Sequence, residues 1–154
     1  SDHHFYHNNI IKYCNRQYKS ITDMNEDYIN KWNQIVKPSD KVFHLGDFAL
    51  TASMTSIRSL ISLLNGYKIL IKGNHDRFNT KFAVENLGFN ECYQILNFEG
   101  YVLAHRPNYD TTTKQLCGHV HEKWKKKDLL LNVGVDVWNG YPVSLDEVKS
   151  DPLL

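Results

Sequence analysis

Residues suited to holding a divalent cation recur in short, separated segments along this 154-residue chain. They are Asp2-His3-His4, extended by Phe5-Tyr6-His7-Asn8, then Gly46-Asp47, Gly73-Asn74-His75-Asp76, Ala104-His105-Arg106 and Gly118-His119-Val120-His121. A fold that uses them together must bring loops from distant parts of the chain to one place. Imidazole suits zinc, iron and nickel, whereas hard cations want carboxylate and carbonyl oxygen; a mixed set without thiolate points away from a structural zinc finger and toward catalysis.

Spacing within the segments sharpens this reading. In an extended segment side chains alternate with period two, so Asp2 and His4 would share a face, as would His119 and His121, while His3 would point the other way. Each pair can then supply two ligands to a common site. A two-metal centre also needs a short carboxylate able to bridge both ions. Asp47 is placed for that, just after the apolar run Val42-Phe43-His44-Leu45 and a glycine, Gly46, that permits close approach of the backbone.

Taken in order, the five blocks Asp2-His3-His4, Gly46-Asp47, Gly73-Asn74-His75-Asp76, His105 and Gly118-His119-Val120-His121 resemble the calcineurin-like metallophosphoesterases. His4-Phe5-Tyr6-His7 and Asn132-Val133-Gly134-Val135-Asp136 further resemble the compact bacterial and phage type of that family. The resemblance spans nearly the whole chain. It implies an α/β fold of two packed mixed sheets flanked by helices. It also implies one metal held by Asp2, His4 and His121, a second held by Asn74, His105 and His119, and Asp47 bridging them. The implied reaction is hydrolysis of a phosphodiester, and also of monoesters, by hydroxide generated at two divalent ions: Mn2+ first, with Ni2+, Fe2+ or Zn2+ as alternatives. His75 would be the general acid with Asp76 orienting it. His7 and Arg106 would grip non-bridging phosphate oxygens, the guanidinium offering a planar fork of donors. Because an apolar strand precedes the first aspartate in that family, a segment before Ser1 is expected. Without one, Asp2 and His4 would sit on a frayed terminus.

Composition bounds the answer independently. With 42% hydrophobic residues the chain reads as a single domain over residues 1–154 with enough apolar material for a core. A formal net charge of +1 shows no general excess for nucleic acid, so attraction to phosphate must be local. Three cysteines, Cys14, Cys92 and Cys117, lack paired spacing and fit reduced, packed thiols in a cytoplasmic protein. No stretch approaches the roughly 20 apolar residues of a membrane span.

The remaining pattern places the motifs. Asp23-Met24-Asn25-Glu26 offers a helix cap, and Tyr28, Trp32, Ile35 and Val36 recur at helical spacing until Pro38. A strand is expected at 41–45, a helix at 53–64, a turn at Asn65-Gly66, a strand at 67–72 and a helix at 77–87. A hairpin is expected from 92–96 and 101–104, followed by strands at 114–117 and 129–133. The early half thus reads as parallel α/β and the late half as antiparallel, with ligands at strand ends, where open α/β sheets bind substrate. His44 reads as a core histidine. The lysines between 123 and 127 read as a solvated hairpin, with a nucleic-acid patch as the alternative. The Asn132–Asp136 run reads as a substrate loop or a strand bulge. Substrates expected are nucleotides or other small phosphoesters; a nuclease acting on nucleic-acid ends and a non-catalytic scaffold are the other readings.

Overall fold

The computed structural model describes residues 1–50 and 52–150. A single helical turn, α1 (Ile10–Tyr13), precedes the long helix α2 (Ile21–Ile35). Ser20 starts α2: its side chain accepts the backbone N–H of Asp23 at 3.1 Å, and Asp23 lies in the first turn, where a carboxylate suits the positive helix end. The cap therefore falls three residues before the expected one. Met24, Tyr28 and Trp32 are buried at four-residue spacing, with Val36 continuing the stripe. Ile35, expected on that face, lies to one side of the stripe and is half exposed.

The chain continues through β1 (Lys41–His44), α3 (Met54–Leu63), β2 (Tyr67–Ile71) and α4 (Thr80–Phe82), which widens into a π-helical turn over Ala83–Leu87. Ser53 caps α3 by accepting the N–H of Ser56, and Ile57, Leu60 and Ile61 form its buried face. Then come β3 (Glu91–Tyr93), β4 (Ile95–Phe98), β5 (Tyr101–Ala104), β6 (Gln115–Cys117), β7 (Lys126–Lys127), β8 (Leu130–Asn132), a 3-10 turn at Val135–Val137 and α5 (Leu145–Ser150).

Two sheets result, as expected for this fold class. β1, β2 and β3 form a three-stranded parallel sheet, and β4-β5-β6-β8-β7 a five-stranded mixed one. Two expectations fail here. The segment 92–96 is not one strand: β3 pairs with β2, whereas β4, after a bend at Gln94, pairs antiparallel with β5. One stretch of chain thus passes from sheet to sheet. The late half is not antiparallel either, because β5, β6 and β8 run parallel and only the terminal hairpin partners β4 and β7 are reversed.

Two apolar clusters hold this arrangement. One packs Met24, Tyr28 and Trp32 of α2 and Ile57 and Ile61 of α3 with Leu70, Phe48 and Phe89. The other joins Leu45 and Ile71, which leave the first sheet, to Leu103, Leu116 and Leu131 of the second and Val148 of α5. The consequence for function is positional. The segments that follow β1, β2, β5, β6 and β8 emerge together where the parallel strands end, and they carry the polar residues singled out above. No helix among the described residues is long and apolar enough to cross a membrane.

Candidate metal centre

The segment Ser1–His4 forms no strand, yet all four residues are buried. Asp2 N–H donates to Gly46 O at 3.0 Å, His4 N–H to Asp47 O at 3.1 Å, and Val135 N–H to Ser1 O at 3.1 Å. Fraying is therefore not what is observed. Nor is the same-face placement of Asp2 and His4 a matter of strand alternation. Their φ angles are +60° and +50°, and those of His119 and His121 are +69° and +50°, so the backbone turns left-handed at each. Asp47, at +53°, does the same. A non-glycine residue in this region costs on the order of 1–2 kcal/mol, and such strain concentrates at functional sites where surroundings enforce it.

Those surroundings include three glycines at points of close approach. Gly46, at φ +90°, lets the loops that carry Asp47 and Asn74 touch, since a Cβ there would lie 2.5 Å from Gly73 N. A Cβ on Gly73 would meet Asp47 Oδ1 at 2.1 Å, and one on Gly118 would meet Asp2 Oδ2 at 2.2 Å. Asp2 is held further by the hydroxyl of Ser1 at 2.5 Å and by the backbone N–H of His119.

Side chains converge in two groups made of the candidate ligands, and a third group joins Cys14 and Asp136 to His121. Asp2, His4 and His121 bring ligand atoms within 4.8 Å of one another, and so do Asp47, His105 and His119. Asn74 joins the second group, its Oδ1 lying 3.1 Å from His105 Nε2. Between the groups stands Asp47: its Oδ2 is 3.5 Å from His4 Nε2 and 3.3 Å from His105 Nε2. His105 Nδ1 donates to Leu45 O at 2.8 Å, so Nε2 is the nitrogen turned toward Asp47, Asn74 and His119. His4 Nε2 is buried and makes no hydrogen bond.

The electrostatics follow from burial and partners. Burial lowers the pKa of His4 to about 3. Burial pushes the Asp47 carboxyl up, but His105 and the N–H of His75 outweigh it and leave the pKa at about 2. Asp76 goes the other way. Burial raises it to about 6, although it accepts backbone N–H groups from Gly73, Phe48 and Asp47. Those three bonds correct the expectation for Asp76: it makes none to the His75 ring, and it ties the Gly46–Phe48 loop to the Gly73–Asp76 loop instead.

His75 lies half-buried at the mouth of the group. Its N–H donates to Asp47 Oδ1 at 2.8 Å and its ring centroid is 5.3 Å from that of His4. His7 sits beside them, 3.4 Å from His4 through the two Nδ1 atoms. A cleft of about 260 Å³ opens here, lined by His4, His7, Tyr13, Cys14, His75, His121 and Lys123 among others. Arg106 is exposed on the other flank, near enough to His119 to lower its pKa after burial and His105. A larger, apolar cavity of about 470 Å³, lined by Phe43, Leu103, Leu116 and Val148, contains none of the candidate ligands. The largest apolar pocket is the ordinary first guess for a site. Here the candidate ligands lie elsewhere, and they decide.

Two histidines behave as structural residues. His3 and His44 are buried and share a hydrogen bond of 2.9 Å, with His44 Nδ1 accepting the N–H of Gly46. Lys125 lies 3.5 Å over the Trp138 ring and Lys127 5.0 Å over Tyr109. Sequence reading missed Arg16 entirely and misjudged Asp136. Arg16 contacts Asp136, Asp2 and His3, and Asp136 accepts from His121 Nδ1 at 3.0 Å. A single arginine inside Tyr13-Cys14-Asn15-Arg16 gives no periodic or motif signal; the only available pointer was the Asn132–Asp136 run.

No family model matches the chain. It is 39% identical over 157 residues to the uncharacterized protein MJ1445 of Methanocaldococcus jannaschii, the match covering 95% of this chain and 85% of that one. Among solved structures it is similar to the protein of unknown function AQ665 from Aquifex aeolicus, with a TM-score of 0.73 and 26% identity, over 96% of this chain and 94% of that chain.

Proposed function

We propose that this chain, which belongs to the family of the Methanocaldococcus jannaschii protein MJ1445, is a binuclear-metal phosphoesterase of the calcineurin-like type, acting on phosphodiesters. The observation that carries this reading is the position of Asp47, one carboxylate oxygen standing between a histidine of each three-ligand group.

The residues fit two cations by three independent features. His4 Nε2 is buried without a hydrogen bond, its nearest carboxylate being Asp47 at 3.5 Å; an unsatisfied buried nitrogen is costly unless something occupies its lone pair. The donor set is imidazole and carboxylate, suited to Mn2+, Ni2+, Fe2+ or Zn2+. Five of the seven candidate ligands adopt strained left-handed backbone, which a folded chain retains only under constraint. Asp2, His4 and His121 would hold one cation and Asn74, His105 and His119 the other, with Asp47 shared. Such a pair supplies Lewis-acid polarisation of a phosphoryl group and acidifies a water near neutral pH.

Position supports roles for the remaining residues. His75 lies at the cleft beside His4, so its ring N–H is positioned to give a proton to a departing alkoxide. His7 and Lys123 line the same cleft and Arg106 flanks His119, so phosphate oxygens would meet cationic or N–H donors on both sides. Asp76 keeps the two loops registered rather than steering the acid. A diester needs such a proton donor more than an activated monoester does, which favours small phosphodiesters and nucleotides as substrates.

The test is a panel of aryl mono-, di- and cyclic phosphates assayed with each metal after chelation. Mn2+ or Ni2+ should restore diester hydrolysis better than Mg2+. Activity unchanged by chelation would overturn the reading, and binding of metal without hydrolysis of any phosphate would favour a scaffold.

A further inference from the structure

We infer that Arg16 and Asp136 are positioning residues: together they hold the Asp2-His3-His4 segment and the His121 ring in the geometry one of the two cations requires. The inference rests on the metal reading above.

The contacts are specific. Arg16 Nε donates to Asp136 Oδ1 at 2.7 Å and Nη2 to Asp136 Oδ2 at 2.9 Å, a two-pronged pairing of fork and carboxylate. The same guanidinium reaches the ligand segment, Nη2 donating to Asp2 O at 2.6 Å and Nη1 to His3 O at 2.8 Å. Asp136 Oδ2 in turn accepts from His121 Nδ1 at 3.0 Å. One buried ion pair therefore links the two segments that contribute Asp2, His4 and His121. The side chains of Arg16 and Asp136 are 3% and 4% exposed.

A buried ion pair is a poor stabiliser in itself, because desolvation offsets most of the attraction. Its value here lies in what it fixes. Asp2 and His4 both carry positive φ, and the carbonyls of Asp2 and His3 are what Arg16 grips. His121, also at positive φ, has its tautomer set by Asp136: with Nδ1–H donating, Nε2 is the nitrogen left for a cation. Asn132 supports the same loop, its amide donating to His121 O at 2.7 Å and Trp124 O at 2.9 Å. Groups that orient a metal-ligating histidine typically change metal affinity 10–100-fold when removed.

The experiment titrates the full chain with Mn2+ alone, by calorimetry, counting sites and affinities in wild type, Asp136→Asn and Arg16→Lys. Thermal unfolding of the metal-free proteins serves as the fold control. Wild type should bind two ions. Each variant should lose roughly 10–100-fold in affinity for one ion and keep the other within about twofold, whereas Asp47→Asn should weaken both. Two sites of unchanged affinity in both variants would overturn the clamp while leaving the metal reading intact; no Mn2+ bound by wild type would overturn both. Should the variants fail to fold, 15N NMR of wild-type His121 decides. With Zn2+ as a diamagnetic probe, Nδ1 should stay protonated while Nε2 shifts, and ligation through Nδ1 would sink the proposal.

Discussion

Replacing Gly73 by alanine places a methyl carbon 2.1 Å from Asp47 Oδ1 and 2.3 Å from the Asp47 backbone N. Ordinary contact begins at roughly 3.5 Å, so Asp47 has to retreat by more than about 1 Å. That residue cannot move alone. Its Oδ1 accepts the N–H of His75 at 2.8 Å, its own N–H donates to Asp76 at 3.0 Å, and its Oδ2 faces His4 and His105. Overpacking of this kind costs about 1–3 kcal/mol, which lowers the melting temperature of a chain this size by roughly 3–10 °C. Misplacement by about 1 Å at a reacting centre costs on the order of 10²-fold in rate. Gly73→Ala should therefore lower Mn2+ affinity at both sites and cut diester hydrolysis at least 10²-fold. Gly100→Ala is the control: its φ is +85° but nothing lies within 4 Å of the added carbon, so it should lose about 1–2 kcal/mol to strain and keep both metals. If Gly73→Ala binds two ions with wild-type affinity and turns over normally, Asp47 is not the shared ligand.

Three further outcomes are expected. His75→Ala should leave Mn2+ stoichiometry unchanged and slow hydrolysis of a poor-leaving-group diester roughly 10²–10⁴-fold, with a smaller loss on an activated one; loss of a metal would make His75 a ligand. In the metal-free protein, Asp136 is pushed up by burial but held down to about 2 by His121 and Arg16. A depressed carboxylate stabilises above its unfolded pKa of about 4, and that contribution, up to about 2 kcal/mol, is lost as pH falls from about 4 through 2. Urea midpoints between pH 5 and 2 should show a drop in wild type that Asp136→Asn flattens, and parallel curves would contradict the assignment. Changing Lys125, Lys126 and Lys127 together to Ser should leave oligonucleotide binding and its salt dependence unaltered, whereas a nuclease reading requires both to weaken.

That the candidate ligands belong together was readable in the sequence, because chemistry restricts which side chains can hold cations and their order along the chain survives any error in secondary structure. What could not be read was how they face one another. Asp2/His4 and His119/His121 were expected to share a face through strand pleating, but left-handed backbone at all four does that work, and the mild preference of Asp and His for that conformation does not announce it. The break between β3 and β4 was hidden for a related reason: Cys92 to Leu96 reads as continuous strand-forming sequence, and only the surrounding sheets determine that it serves both. Helices fared better: of Tyr28, Trp32, Ile35 and Val36, expected on one helix face, all but Ile35 are buried. Asp76 was misread because its partners are backbone groups, and Arg16 was missed because its partners, the Asp136 carboxylate and the carbonyls of Asp2 and His3, lie in distant segments that a local motif cannot encode.

Loops from both sheets reach the same cluster, so a pair of cations would act as a rivet through two plates. Asp47 and Asn74 leave the three-stranded sheet; His105, His119 and His121 leave the five-stranded one. Ions that bind only the closed arrangement deepen its stability with the logarithm of their concentration. Occupancy should then register beyond the ligand loops, as slower amide exchange in β3 and β7, one edge strand of each sheet.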